Sequence, residues 1–284
     1  MDPWQEIVLG TLLAVDEDGT PTYLTVGLSV PRQNGKNAIL EAYEFYKLVV
    51  CGESILHTAH RVKTVKKSFE RLARMFKDPR NVEVAALVET IRYTNGEQGI
   101  YLTTGACIEF ASRSRGGGRG ATYSVVVFDE AQELTDEQVE AIMPTLAASP
   151  TGYRQLVYTG TPPGPTCPGT VFGNVRSSAL RDGGAAKLAW LERGVERMPS
   201  AGSTFADLVD DVYASNPAMG VRLDIDFAES EFNTMSLDGF ARERLGWWSE
   251  AAGAARAIGA KLWEGPAIDA IGAPRIRGDD PVWR

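Results

Sequence analysis

Histidine and cysteine are scarce in this sequence, and their scarcity narrows the chemistry open to it. There are only two histidines, His57 and His60, and three cysteines, Cys51, Cys107 and Cys167, all far apart. No pair has the spacing of a zinc site or a disulfide framework. The two histidines fall at the end of a strand pattern, which argues against a shared metal, and this cysteine usage fits a reducing compartment. Long apolar runs are missing too, since nothing approaches the roughly 20 residues that a membrane helix needs. The start, Met1-Asp2-Pro3-Trp4-Gln5-Glu6, is polar and has no basic flank leading into an apolar segment. A soluble, cytoplasmic chain is therefore expected. Positive charge is not in excess: 29 Lys and Arg stand against 37 Asp and Glu, a net charge of −8. That excludes a surface coated for non-specific nucleic-acid binding, though not a local contact.

What is present is the composition of an ordinary globular protein. A hydrophobic fraction of 44% over 284 residues supports one large or two modest cores, and 29 glycines with 15 prolines imply many loops. Tyr23 to Val30 reads as a strand, followed by a short polar loop and a helix from Ala38 to Val50. A second strand, Ser54 to Thr58, leads into a helix from Val62 to Phe76. The region from Arg61 to Arg80 carries Arg61, Lys63, Lys66, Lys67, Arg71, Arg74, Lys77 and Arg80 against Glu70 and Asp78, the pattern of a solvated helix face or a phosphate-backbone contact. Short strands are expected at Val82–Val88, Ile100–Thr104 and Ala106–Phe110, with a turn at Asn95-Gly96. Val125 to Phe128 is the apolar run of a buried parallel strand. A helix after Thr135 and a strand from Gln155 to Tyr158 follow. Beyond Pro163, helices are expected over Phe205–Tyr213 and Phe227–Leu245, separated by Asn216-Pro217. Alternating strands and helices specify an α/β sheet covered on both faces.

Three segments carry candidate chemistry. The loop Arg32-Gln33-Asn34-Gly35-Lys36-Asn37 lies between a strand and a helix, where successive backbone N–H groups and the helix N-terminus favour phosphate. Gly35 permits close approach and Lys36 reaches the β and γ phosphates. Against the pattern G-x-x-x-x-G-K-[ST], Val30 stands at the first glycine and Asn37 at the hydroxyl position. Asn37 offers a carbonyl oxygen to magnesium or caps the helix. The second segment is Val125-Val126-Val127-Phe128-Asp129-Glu130, a buried strand delivering two acids at its C-terminal end. Asp129 suits magnesium and Glu130 suits the orientation and deprotonation of water. The third is Thr159-Gly160-Thr161, ending the next strand, where two hydroxyls can sense a γ-phosphate. A guanidinium matches the charge that develops in phosphoryl transfer: Arg119, in a glycine-rich loop, is the first candidate and Arg32 the second, while DNA contact is an alternative for Arg113 and Arg115 and a flexible, solvated loop is the other reading. Trp4 and Gln5 suit adenine, by stacking and by an amide that both donates and accepts.

These residues, in this order, resemble the large terminase subunit of tailed bacteriophages. The resemblance rests on Pro3-Trp4-Gln5, Arg32 through Lys36, Val125 through Gln132 and Thr159 through Pro163. It continues at Asn216-Pro217, Phe240-Ala241-Arg242 and Leu245-Gly246, and spans about residues 1–250. It implies an additional-strand, catalytic-glutamate P-loop NTPase with a mostly parallel central sheet flanked by helices and a small helical lid. The implied division is an ATPase core at 1–200, a helical lid or linker at 201–264 and a tail, or the start of a nuclease domain, at 265–284. ATP and Mg2+ are the implied ligands. Lys36 matches the phosphate-loop lysine, Asp129 the magnesium-associated acid, Glu130 the catalytic glutamate, Thr159-Gly160-Thr161 the coupling motif and Arg119 the arginine offered to a neighbouring subunit. The implied partners are double-stranded DNA, a portal protein, a small terminase subunit and copies of the chain in a ring of five. The implied location is the host cytoplasm and, transiently, the procapsid portal. Two other readings stay open, a helicase-like DNA-remodelling ATPase and a nucleotide-stabilised, non-catalytic assembly module.

Overall fold

The structure is a computed structural model that describes residues 1–94, 96–113, 122–147, 149 and 152–249. In chain order its elements are α1 (Pro3–Leu13), β1 (Thr25–Ser29), α2 (Lys36–Val49), β2 (Ile55–Ala59), α3 (Val62–Lys77), α4 (Val82–Ala86), β3 (Val88–Arg92), β4 (Gln98–Leu102), β5 (Cys107–Ser112), β6 (Val125–Phe128), α5 (Asp136–Ala147), β7 (Gln155–Gly160), α6 (Thr170–Leu180), β8 (Leu188–Glu192), α7 (Phe205–Ser215), α8 (Ile225–Thr234) and α9 (Leu237–Glu243). A 3-10 turn at Ala131–Glu133 joins β6 to α5. Hydrogen bonding orders the strands β3-β4-β5-β2-β6-β7-β1-β8. The pairs β2–β5, β2–β6 and β6–β7 are parallel, whereas β3–β4 and β4–β5 are antiparallel. The fold is mixed α/β, with a central sheet and flanking helices.

The described chain forms two compact units. The first comprises 1–26, 37–130 and 136–159, and the second 27–36, 131–135 and 160 onwards. In the first unit every residue of β2 and β6 is buried; β6 reads as an unbroken apolar run, whereas β2 buries His57 and Thr58 among its apolar residues. Helix α3 turns Val65, Phe69, Leu72 and Phe76 inward, at the i, i+4, i+7, i+11 spacing of one helix face. Phe69 meets Phe110 of β5 edge-on, with ring centroids 5.6 Å apart. Helix α1 starts from a capping box, in which the Asp2 N–H donates to Gln5 Oε1 at 2.8 Å, and it buries Trp4, Val8 and Leu12. In the second unit Leu208, Val212, Met219, Ala228, Phe240 and Leu245 make a separate hydrophobic cluster beneath α7, α8 and α9.

Most expected elements are present, and two are corrected. Val82–Val88 is not a strand: Val82–Ala86 forms helix α4, none of whose residues is buried, so its apolar side chains line no sheet face. The hairpin is built instead from β3 and β4; Asn95 lies outside the described residues, and Gly96 at φ +85° supplies a left-handed turn position. The single long helix over Phe227–Leu245 is divided at Ser236. The Ser236 hydroxyl accepts the Gly239 N–H at 3.1 Å and caps a new helix, α9. The residues after 249 lie outside the described part of the chain, as do Arg115 and Arg119. Among the described residues, no helix is long and apolar enough to cross a membrane.

Gly27 of β1 lies against Trp190 of β8, so that a Cβ there would stand 2.2 Å from Trp190 Cε3. The indole is pinned, because its Nε1 donates to Glu192 Oε2 at 2.8 Å. Gly27→Ala should therefore destabilise the protein by about 1–3 kcal/mol through overpacking, read as a lower midpoint in urea denaturation. An unchanged midpoint would mean that the Trp190 ring moves aside at no cost.

Candidate functional site

Within the second unit, the loop after β1 is folded around its own amide. Asn34 is fully buried. Its Nδ2 donates to Pro31 O at 3.1 Å, Arg32 O at 3.3 Å and Asn216 Oδ1 at 3.0 Å, while its Oδ1 accepts the Ala218 N–H at 3.1 Å. Gln33 at φ +65° and Gly35 at φ +100° make the turns on either side of it. Lys36 folds back so that Nζ donates to Val30 O at 2.7 Å and Pro31 O at 3.4 Å. Arg32 is largely exposed and pairs with Glu243 of α9 at 2.5 Å. Asn216 and Arg222 also bond this loop. In the sequence alone Arg222 carries no assigned role, and Asn216 reads as a break between helices and as part of the family resemblance, not as a partner of this loop.

The acidic turn is built in the first unit, at the end of β6. Asp129 is buried, and its Oδ1 accepts the Thr159 hydroxyl at 3.0 Å and the Glu130 N–H at 2.9 Å. Glu130 has φ +54°, a left-handed conformation uncommon outside glycine. Its Oε1 accepts the Thr64 hydroxyl from the first turn of α3 at 3.1 Å. Its Oε2 is buried and has no hydrogen-bond partner among the described residues. A buried carboxylate oxygen in that state calls for a ligand or a water.

Arg113 holds the backbone of this turn. The side chain is buried; Nη1 donates to Asp129 O at 2.6 Å and Thr58 O at 3.2 Å, and Nη2 donates to Glu130 O at 2.8 Å. The expected DNA contact through Arg113 is therefore corrected, because its guanidinium is spent on main-chain carbonyls. Charge available to solvent lies on α3 and its flanks, where Arg61, Lys63, Lys66, Lys67, Arg74, Lys77 and Arg80 are exposed. Part of it is locally balanced, Lys66 by Glu70 at 3.8 Å and Arg80 by Asp78 at 2.6 Å.

The remaining expected residues are found in simpler roles. The Thr161 N–H donates to Gln132 Oε1 at 3.3 Å, and a Cβ on Gly160 would lie 2.7 Å from that same oxygen. Glycine is thus required at position 160 for Gln132 to approach. Gln5 Oε1 is taken up in the helix cap described above, and Trp4 is buried against the core. Asn37 is half-buried in the first turn of α2. Asp129 and Asn37 offer hard oxygens, which suit a magnesium ion whose other ligands are phosphate and water. Among the described residues no cluster of three or more His, Cys, Asp or Glu forms a protein-only metal site. Below the acidic turn His57 Nδ1 meets Glu44 Oε1 at 2.5 Å, both side chains being buried. Burial pushes the His57 pKa down, but the Glu44 carboxylate, with help from Asp129, overrides it and leaves the pKa raised.

No protein-family model and no curated protein matches this sequence. Solved structures do match. The crystal structure of the HK97 bacteriophage large terminase superposes with a TM-score of 0.68 at 16% identity, covering 87% of this chain and 50% of that one. A variant of the large terminase ATPase domain of Thermus phage P74-26 gives a TM-score of 0.60 at 16% identity, covering 88% of this chain and 99% of that domain. The large terminase of the thermophilic bacteriophage D6E, in complex with ADP, gives 0.56 at 15% identity, covering 87% and 53%. The chain has the fold of a large-terminase ATPase domain, and it spans about half the length of the HK97 protein.

Two stability measurements test the acidic turn and the pair beneath it. Arg113→Met strips a charged donor from the carbonyls of Asp129 and Glu130 and should cost about 2–4 kcal/mol in denaturant unfolding, with Arg113→Lys in between. Because the folded pKa of His57 is raised, the folded state holds the extra proton, so this stabilisation is full below about pH 6.5 and is lost as pH rises through the folded value. The midpoint of the wild type should therefore fall relative to that of His57→Gln as pH is raised from about 6 to about 8. Parallel pH profiles would show that His57 does not titrate.

Proposed function

We propose that this chain is an ATP-hydrolysing motor domain that drives double-stranded DNA into a viral procapsid. The observation that carries the reading is the Glu130 carboxylate, held by Thr64 through one oxygen and, among the described residues, without a hydrogen-bond partner at the other. A general base needs such an oxygen to receive a proton from water. In this reading Lys36 leaves the Val30 carbonyl for the β and γ phosphates, and the loop N–H groups from Arg32 to Asn37 cradle them. Asp129 and Asn37 would hold the ion, and bound magnesium would neutralise charge on the phosphates. Thr159, through its bond to Asp129, registers the state of the γ-phosphate, with Gly160 and Thr161 completing the segment. Arg119 or Arg32 supplies the guanidinium, and Trp4 and Gln5 flank adenine.

The order β6-β7-β1 supports the additional-strand class, because β7 lies between the strand that carries the acids and the strand that precedes the lysine loop. Residues 1–200 are read as the ATPase core and 201–264 as a helical subdomain, in keeping with the separate cluster under α7, α8 and α9. The fold likeness to large terminases, among them that of bacteriophage D6E in complex with ADP and in complex with ATP-gamma-S, supports ATP as the ligand. It also supports the partners: DNA, a portal protein, a small terminase subunit and further copies of the chain in a ring. The site of action would be the host cytoplasm and, transiently, the portal. The exposed basic face of α3 is the candidate track for the DNA backbone. Asn37, standing where a compact hydroxyl is expected, favours a second reading in which nucleotide only stabilises assembly.

Magnesium-dependent ATPase assays with and without double-stranded DNA separate the two. Glu130→Gln should bind ATP as the wild type does and lose about 100-fold or more in turnover, whereas Lys36→Ala should weaken ATP binding itself. A wild-type chain that binds ATP but never hydrolyses it, with or without DNA, would sink the motor reading in favour of the assembly module.

A further inference from the structure

The loop between β1 and α2 departs from the phosphate-binding pattern at its first position, where Val30 replaces glycine. Something other than glycine must therefore set its peptide planes. Four of its carbonyls have been described or are bonded as follows. Val30 O and Pro31 O accept Lys36 Nζ, Pro31 O and Arg32 O accept Asn34 Nδ2, and Asn34 O accepts Arg222 Nη2 at 3.1 Å. In a planar trans peptide the C=O and the following N–H point in opposite directions. Fixing the carbonyls of Pro31, Arg32 and Asn34 therefore turns the N–H groups of Arg32, Gln33 and Gly35 away from the donors that hold those carbonyls. Successive N–H groups so arranged are an anion-binding concavity.

Asn34 holds this arrangement only because it is held in turn. Its amide is locked between Asn216 Oδ1 and the Ala218 N–H. Asn216 is fixed by its own donors, Nδ2 to Val212 O at 2.8 Å and to Arg244 O at 2.7 Å, at the ends of α7 and α9. We infer that Asn34, Asn216 and Arg222 are positioning residues that preorganise the loop for a polyphosphate from its carbonyl side. The 216–222 segment is then part of the binding site without touching the ligand. This rests on the reading of the loop as a phosphate cradle and adds to it the residues that stand in for the missing glycine. Since preorganisation removes the cost of ordering the loop at binding, its loss should appear in affinity.

The test is binding of inorganic pyrophosphate and of Mg-ATP to the full chain by calorimetry, with kcat measured at saturating ATP. Arg222 is exposed, so Arg222→Met is expected to fold. It should weaken both ligands about tenfold, the worth of one charge-assisted hydrogen bond, with kcat changed less than about threefold. Arg222→Lys keeps a donor and should restore binding. Asn216→Ala changes no charge, so weaker pyrophosphate binding in a variant that melts as a folded protein cannot be a loss of electrostatic field. Wild-type affinity in Arg222→Met would overturn the inference, as would a loss of kcat with affinity intact or a failure of Arg222→Lys to rescue. Should Asn216→Ala not fold, the Met and Lys pair at Arg222 decides alone. Failure of the underlying reading looks different: the wild type itself would bind neither pyrophosphate nor ATP.

Discussion

The acidic turn exists because a buried arginine satisfies carbonyls that β6 can no longer pair. Where the strand ends, Asp129 and Glu130 leave the sheet, and Glu130 enters a left-handed conformation that a non-glycine residue adopts only under constraint. Arg113 supplies the constraint with three main-chain hydrogen bonds to Thr58, Asp129 and Glu130. The two carboxylates then part. Asp129 is drawn inward to Thr159, and Glu130 is turned towards Thr64. One strand end thus delivers two adjacent acids to different surroundings, a requirement for any site in which one acid holds charge and the other moves a proton.

The elements nearest this turn were the most legible in the sequence. Val125 to Phe128 and Gln155 to Tyr158 are short apolar runs bounded by polar residues, and all of β6 is buried with no face to alternate. The basic helix was legible for the opposite reason, since its buried Val65, Phe69, Leu72 and Phe76 leave a complete charged face. Errors arose where apolar residues do not report burial. The valines of α4 are exposed or only partly covered, so their strand-like pattern misled. The Ser236 cap interrupts a stretch whose composition reads as one helix. Among the candidate residues, Lys36, Asp129, Glu130 and Thr159 are named from strand-end and loop patterns taken in their order along the chain, since the lysine loop alone matches its pattern poorly.

The residues that organise them were not legible, and the reason is distance along the chain. Asn34 meets Asn216 across 182 positions, and Thr64 meets Glu130 across 66. Neither partner has a local signature, because an asparagine before a proline reads as a turn and a threonine in a basic helix reads as surface. Arg113 was misread on the same ground: an arginine at the edge of a glycine-rich loop suggests solvent, and only the fold directs it into the core. Capping is the local exception: Asp2, Pro3 and Gln5 together spell a helix start, a signal set aside in favour of reading Trp4 and Gln5 for adenine.

The folded-back Lys36 has a further consequence. Its ammonium is held by the Val30 and Pro31 carbonyls, so an anion bound there would exchange one set of oxygens for another. An anion brings charge that the two neutral carbonyls lack, so its bond to the ammonium would be the stronger one. The two carbonyls thus keep the lysine folded against its own loop rather than extended into solvent.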